Sequence, residues 1–194
     1  MIGVRRFAQW GLWFGGALVL LAAMLIGIDV LMRKFLARSI GGADELAGYA
    51  LAIGTTWGLG AALLDRAHIR IDSLYVLFPQ KLRLALDLAA LVMFTGFFAL
   101  TLWHGSGVVA QSWTSESRSQ SALETPTIIP QFLWIAGLVA FVGIAIVIFV
   151  QSLRLAVAGD LTGMAQLIST RSAEEEVEDE IRDFKGRQGH DGRP

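Results

Sequence analysis

The sequence predicts an all-α integral membrane protein of four transmembrane helices, with both termini cytoplasmic and a short interfacial helix between the second and third spans. Three observations carry that expectation. First, four apolar runs at about residues 7–28, 46–64, 88–109 and 132–153 hold no Asp, Glu, Lys or Arg. Each is about 20 residues, enough helical rise to cross a hydrocarbon core of roughly 30 Å. Second, 54% of the 194 residues are hydrophobic and only 17% are charged, with a mean hydropathy of +0.56, beyond the usual soluble range. Third, the basic residues are unevenly shared between the two sets of loops. With the N-terminus inside, Arg5, Arg6, Arg66, Arg70, Lys81, Arg83, Arg154 and Arg171 flank the spans on the cytoplasmic side, and only Arg33, Lys34, Arg38 and Arg118 lie outside. Backbone N–H and C=O groups find no water inside lipid, so the spans must be helices.

Span 1 follows Arg5 and Arg6, and its apolar run is too long for a secretory signal core, so it is expected to stay as a signal anchor. Trp10 and Trp13 mark its inner edge, and Trp103, Trp113 and Trp134 the outer edge of spans 3 and 4. Gly41 and Gly42 separate span 1 from Asp44 and Glu45, whose carboxylates suit the first turn of span 2. Within span 2, Ala50, Gly54, Gly58 and Ala62 recur every fourth residue and form a small-residue ridge along one helix face. Such a ridge lets another backbone come close, from this chain or from another subunit. Gly11 and Gly15 make a shorter pair of the same kind. Trp57 lies near the middle of span 2, where its indole N–H needs a partner and its bulk implies a helix–helix contact.

After span 2, Ile71, Leu74, Tyr75 and Phe78 recur at helical spacing behind Asp72, which predicts the short interfacial helix. Pro79 and Pro130 open spans 3 and 4, where the missing N–H costs little. Span 3 can run helical from Pro79 to about Trp113, more than a bilayer needs, so it must tilt, protrude or break at Gly105 and Gly107. The membrane domain is expected to cover residues 1–157. Residues 158–194 read as a cytoplasmic acidic tail, partly disordered, with Glu174, Glu175, Glu176, Glu178, Asp179 and Glu180 in one run.

Chemical signatures are sparse. Cysteine is absent, which excludes disulfides and thiolate chemistry. His68 and His104 stand at opposite ends of the expected spans, about 30 Å apart along the normal, and cannot share one haem iron. Asp29 with Arg33, and Arg83 with Asp87, have the i, i+4 spacing of neutralised helix-end pairs. No catalytic triad, metal-ligand cluster or phosphate-binding loop is present, so the reading is a non-enzyme without cofactor and without a nucleic-acid partner. No ionisable group falls near the middle of a span, and no internal repeat stands out, which points away from a self-contained transporter.

Residues 44–79, DELAGYALAIGTTWGLGAALLDRAHIRIDSLYVLFP, resemble the DctQ-like small membrane subunit of tripartite ATP-independent periplasmic (TRAP) transporters. The matching features are an acidic residue opening span 2 (Glu45), a tryptophan within it (Trp57), Gly60 and Ala61, and an H-x-x-x-D element after it (His68, Asp72). A T-P-x-x-I-P stretch at Thr125-Pro126 and Ile129-Pro130, opening span 4, is a second match. The resemblance implies a scaffold subunit of a bacterial inner-membrane transporter. Its partners would be a large elevator-type subunit, driven by a cation gradient, usually sodium, and a periplasmic binding protein that delivers an organic acid. Position in the sequence adds two expectations: Glu45, at the outer start of span 2, bonds a nearby basic or backbone donor and helps fix that corner, with Arg33, Lys34 and Arg38 as candidate local partners, and the Ser-rich outer loop carrying Glu116 and Arg118 meets the binding protein. Two alternatives stay open on sequence: the small subunit of a tripartite tricarboxylate transporter and the membrane anchor of a redox enzyme.

Overall fold

A computed structural model describes residues 2–65, 78–168 and 181 of the chain. Four helices are long and apolar enough to cross a membrane: α1 (Ile2–Leu36), α2 (Ala43–Leu64), α3 (Gln80–Thr114) and α4 (Ile128–Val157). A short α5 (Leu161–Ile168) follows. No strand occurs among the described residues; a single antiparallel bridge joins Arg118 to Pro126. The chain is a multi-pass, all-helical membrane protein. The interfacial helix expected around residues 71–78 falls almost wholly outside the described residues.

The helices outrun the apolar segments that predict them. At 1.5 Å per residue, the 35 residues of α1 and of α3 span about 52 Å, against about 33 Å for the 22 of α2. Polar residues at the ends continue a helix without penalty because its outer turns stand in water or headgroups. Of the three options for the third span, a break does not occur: α3 runs unbroken through Gly105 and Gly107. An added Cβ at Gly105 would lie 2.8 Å from the Trp134 ring, so this glycine makes room for an indole on α4 and is no hinge.

Local chemistry sets the boundaries. Ala37 leaves α1 with φ of 50°, and Gly41 and Gly42 turn the chain with φ of 61° and 86°, a region in which glycine carries no Cβ penalty. Pro79, extended at ψ 147°, opens α3, and its carbonyl accepts from the amides of Leu82 and Arg83. Gly159, at φ 74°, ends α4; Asp160 then caps α5 by accepting from the Gly163 amide at 2.8 Å. The α5 helix packs back on α3 and α4, with Met164 buried.

The four spans lie in the spatial order α1–α2–α4–α3, each packing mainly on its neighbour in that row. Between α3 and α4, Phe98 stacks edge-on against Phe141 (4.7 Å between centroids) and Phe94 does the same (5.6 Å). Phe141 is fully buried, with Leu138, Ala145 and Ile148 beside it on α4. At the other edge of the row α1 meets α2 through Ala8, Gly11 and Gly15, and most of its remaining surface is open.

Candidate functional site

Two arrangements bring the sequence-selected residues together: a seam at mid-row and a platform made by the two loops at the end of the bundle away from the N-terminus.

The seam centres on Trp57. Its indole N–H donates to the Leu133 carbonyl of α4 at 3.0 Å, and its ring lies edge-on to Phe14 (5.6 Å) and tilted to Phe7 (6.2 Å), both on α1. Glycines on the two flanking helices let them approach. An added Cβ on Gly11 would sit 2.9 Å from the Trp57 carbonyl oxygen, and one on Gly137 would sit 2.9 Å from Trp57 Cδ1 and 2.5 Å from Thr56 Oγ1. Thr56 is itself buried and returns its hydroxyl proton to the Ile53 carbonyl at 2.9 Å, so no polar group is left open there.

Along the small-residue ridge the positions are not equivalent. Gly54 touches Gly15 backbone to backbone: a Cβ on Gly15 would lie 2.5 Å from the Gly54 oxygen, and one on Gly54 2.8 Å from the Gly15 oxygen. Gly58 is looser, since a Cβ there would meet only Leu12 Cδ1 at 3.8 Å, ordinary contact. Ala50 and Ala62 are half-buried. The antiparallel run of close approaches is thus Gly15 on Gly54, Gly11 on Trp57 and Ala8 near Gly60, whose own Cβ would meet Ile144 of α4 at 2.7 Å.

The platform is built by residues 37–42 and 115–127. Asp29, completely buried near the end of α1, accepts from the Ile40 amide at 2.6 Å and from the Ser39 hydroxyl at 3.0 Å, and forms an ion pair with Arg33. Its carboxylate therefore ties the first loop back onto the helix. The second loop is a narrow turn: Ser119 N–H donates to the Thr125 carbonyl at 2.9 Å, and Thr127 N–H to the Ser117 carbonyl at 3.0 Å. Glu116 and Glu124 adopt φ of 48° and 43°, a left-handed conformation that costs a residue with a Cβ roughly 1–2 kcal/mol.

The two loops lock together. The Ser121 hydroxyl donates to the Glu45 carboxylate, and Leu123 covers Gly42 so closely that an added Cβ would lie 2.5 Å from its Cδ1. Glu45 thus turns to Ser121, whereas Arg33, one of its expected partners, turns to Asp29 and reaches Asp44 at 4.0 Å. The i, i+4 pairing satisfies Arg33 within its own helix, and a neutral hydroxyl from the opposing loop then meets Glu45.

The remaining sequence-selected residues are dispersed. Glu116 and Arg118 are exposed on the second loop, Arg118 donating to the Glu124 carbonyl at 3.3 Å. Pro126 bridges to Arg118, and Pro130 is buried in the first turn of α4. His68 and Asp72 lie outside the described residues. His104 is exposed on α3. Among the described residues no group of three His, Asp or Glu side chains is placed to hold a metal ion.

Sequence reading missed Gly137, the Leu133 carbonyl and Ser121. Gly137 carried a signal, a lone glycine in a strongly apolar span. The other two carried none, because a backbone carbonyl looks alike at every residue and one serine among several in a loop is not distinguished.

Residues 10–155 match the model of one family, described as "Tripartite ATP-independent periplasmic transporters, DctQ component". Neither curated proteins nor solved structures offer a match.

Proposed function

The chain belongs to the DctQ family of tripartite ATP-independent periplasmic transporter components, and from that premise we propose how it serves such a transporter. DctQ chains are the small membrane subunits of these transporters, a transporter-component family and not an enzyme family. In our reading this chain is a scaffold in the bacterial inner membrane. It partners a large elevator-type subunit that carries an organic acid, driven by a cation gradient with sodium as the coupling ion, and a periplasmic binding protein that delivers the acid.

One observation supports the scaffold role above others. In all four spanning helices the middle third holds no Asp, Glu, Lys, Arg or His, and the core there is filled by Phe98, Phe141 and the Trp57 seam. Coupling an ion to a solute across a bilayer calls for polar or charged groups near the midplane. A row of helices packed through glycine and aromatic contacts offers instead a static surface.

The orientation proposed is N-terminus and C-terminus inside, with the membrane domain over residues 1–157, an interfacial helix at about 71–78 and the acidic tail of residues 158–194 in the cytoplasm. That orientation turns the locked loop platform toward the periplasm, where the binding protein arrives, and makes Glu116 and Arg118 docking residues. Glu45 and the Ala50, Gly54, Trp57, Gly58, Ala62 face act in subunit packing, directly or by setting the α1–α2 hairpin.

Reconstitution tests the role. In proteoliposomes with a sodium gradient, the chain alone should give no organic-acid uptake, and uptake should need the large subunit and binding protein together. Gradient-driven uptake by the isolated chain would overturn the scaffold reading.

A further inference from the structure

The outward face of α1 near its N-terminus carries a groove of about 340 Å³ lined by Arg6, Gln9, Trp10 and Trp13. These positions follow i, i+3, i+4, i+7 and so share one side of the helix. Ala8, Gly11 and Gly15, on the opposite side, are the residues buried against α2. Trp10 is 77% and Trp13 75% exposed, the two largest side chains of the helix turned away from the protein.

Charge and depth identify what fits there. Neither Arg5 nor Arg6 has an ion pair among the described residues, and the first turn of α1 holds no acidic residue. The level of the membrane surface is marked by the end of α2: Asp65, just past its last turn, lines a second groove with Arg5, Ala8, Gln9 and Leu12, which adjoins the first at Gln9 and lies toward α2. Arg6 is therefore level with the polar end of a spanning helix. Trp10 lies about 6 Å and Trp13 about 10 Å deeper along the axis, the depth at which headgroups give way to acyl chains. The Asp65 carboxylate disfavours an anion in the second groove and leaves the Arg6 side as the cationic one.

We propose that the Arg6–Gln9–Trp10–Trp13 groove is a binding site for an anionic phospholipid. Its phosphate pairs with the Arg6 guanidinium, which offers a planar fork of donors matched to phosphate oxygens. Gln9 and the Trp10 indole N–H supply donors at the glycerol and ester level, and the Trp13 ring lies along the first acyl carbons. The site needs only that the chain spans the membrane, so it stands independently of the transport role and of the orientation proposed above.

The test uses the full-length chain in bilayers of phosphatidylcholine containing increasing brominated phosphatidylglycerol or, separately, brominated phosphatidylcholine. Quenching at Trp10 and Trp13 is isolated as the emission lost in Trp10→Phe/Trp13→Phe. Half-maximal quenching should come at a mole fraction of the anionic lipid roughly fivefold lower than of the zwitterionic one, the factor expected for one basic residue at the surface. Arg6→Gln should abolish that preference without shifting the thermal transition, and Arg154→Gln, a basic residue elsewhere on the chain, should leave it intact. Equal quenching by both lipids would overturn the proposal, as would a preference that survives Arg6→Gln or is lost equally in Arg154→Gln. Absence of quenching by either lipid would also overturn it, and would assign the face to a second protein chain.

Discussion

At Trp57 one side chain answers two requirements of a mid-membrane position. Its nine-atom ring fills the space left by Gly11 and Gly137, and its N–H, which could not stay unpaired in hydrocarbon, meets the Leu133 carbonyl. Trp57→Phe keeps an aromatic ring beside Phe14 but removes both the donor and part of the ring that fills this space. It is expected to lower the stability of the purified chain by at least about 1 kcal/mol, the usual net value of such a bond, with the smaller ring adding to the loss. A thermal or denaturant transition in detergent reads this directly; a midpoint identical to wild type would show that the bond to Leu133 contributes nothing. Asp29 works differently, since its partners Ile40 and Ser39 belong to a loop, and the bond serves to fold that loop back on the helix.

Between elements, the distinction that matters is between Gly54 and Gly58. Both belong to the same four-residue repeat, yet only Gly54 faces a backbone; Gly58 faces the flexible end of Leu12. Gly54→Leu has no space to enter, because the Gly15 carbonyl cannot rotate away as a side chain can. It should pry α1 from α2 and cost about 1–3 kcal/mol, in the range of overpacking. Gly58→Leu should cost clearly less. Comparison of the two melting transitions decides the matter: equal losses would mean that the hairpin is packed in some other register. The same comparison bears on assembly, because α1 is held by α2 and little else within the chain.

Taken whole, the molecule is a single row of helices with a tied loop platform at one end. The Glu45–Ser121 bond and the Leu123–Gly42 contact join the α1–α2 loop to the α3–α4 loop, so Glu116 and Arg118 project from a braced surface. Steering charges at the rim of a transient interface act mainly on encounter, and are screened over about 8 Å at physiological salt. With the three-component transporter reconstituted, Glu116→Lys or Arg118→Glu should change the binding-protein concentration for half-maximal uptake several-fold at low salt, in opposite directions because the two reversals shift the loop charge oppositely. The shift should shrink as salt is added, and co-purification of the two membrane subunits should be unaffected. A dose curve that overlays wild type at low salt would remove this loop from the docking surface.

Four spans, their approximate limits and the glycine spacing of α2 were legible in the sequence because each depends on residues close together in the chain. A charge-free run of about 20 residues has one economical state in lipid, a helix that satisfies its own backbone, and six of the ten DctQ-like motif residues fall within residues 44–79. What only the tertiary structure decided is which of two equivalent-looking glycines meets a backbone, that Ser121 and not a basic residue faces Glu45, and that Gly105 receives Trp134 instead of bending α3. These outcomes follow from how helices distant in sequence are rotated and shifted against one another. That rotation comes from the sum of many small packing contacts across the row, and no local spacing encodes it.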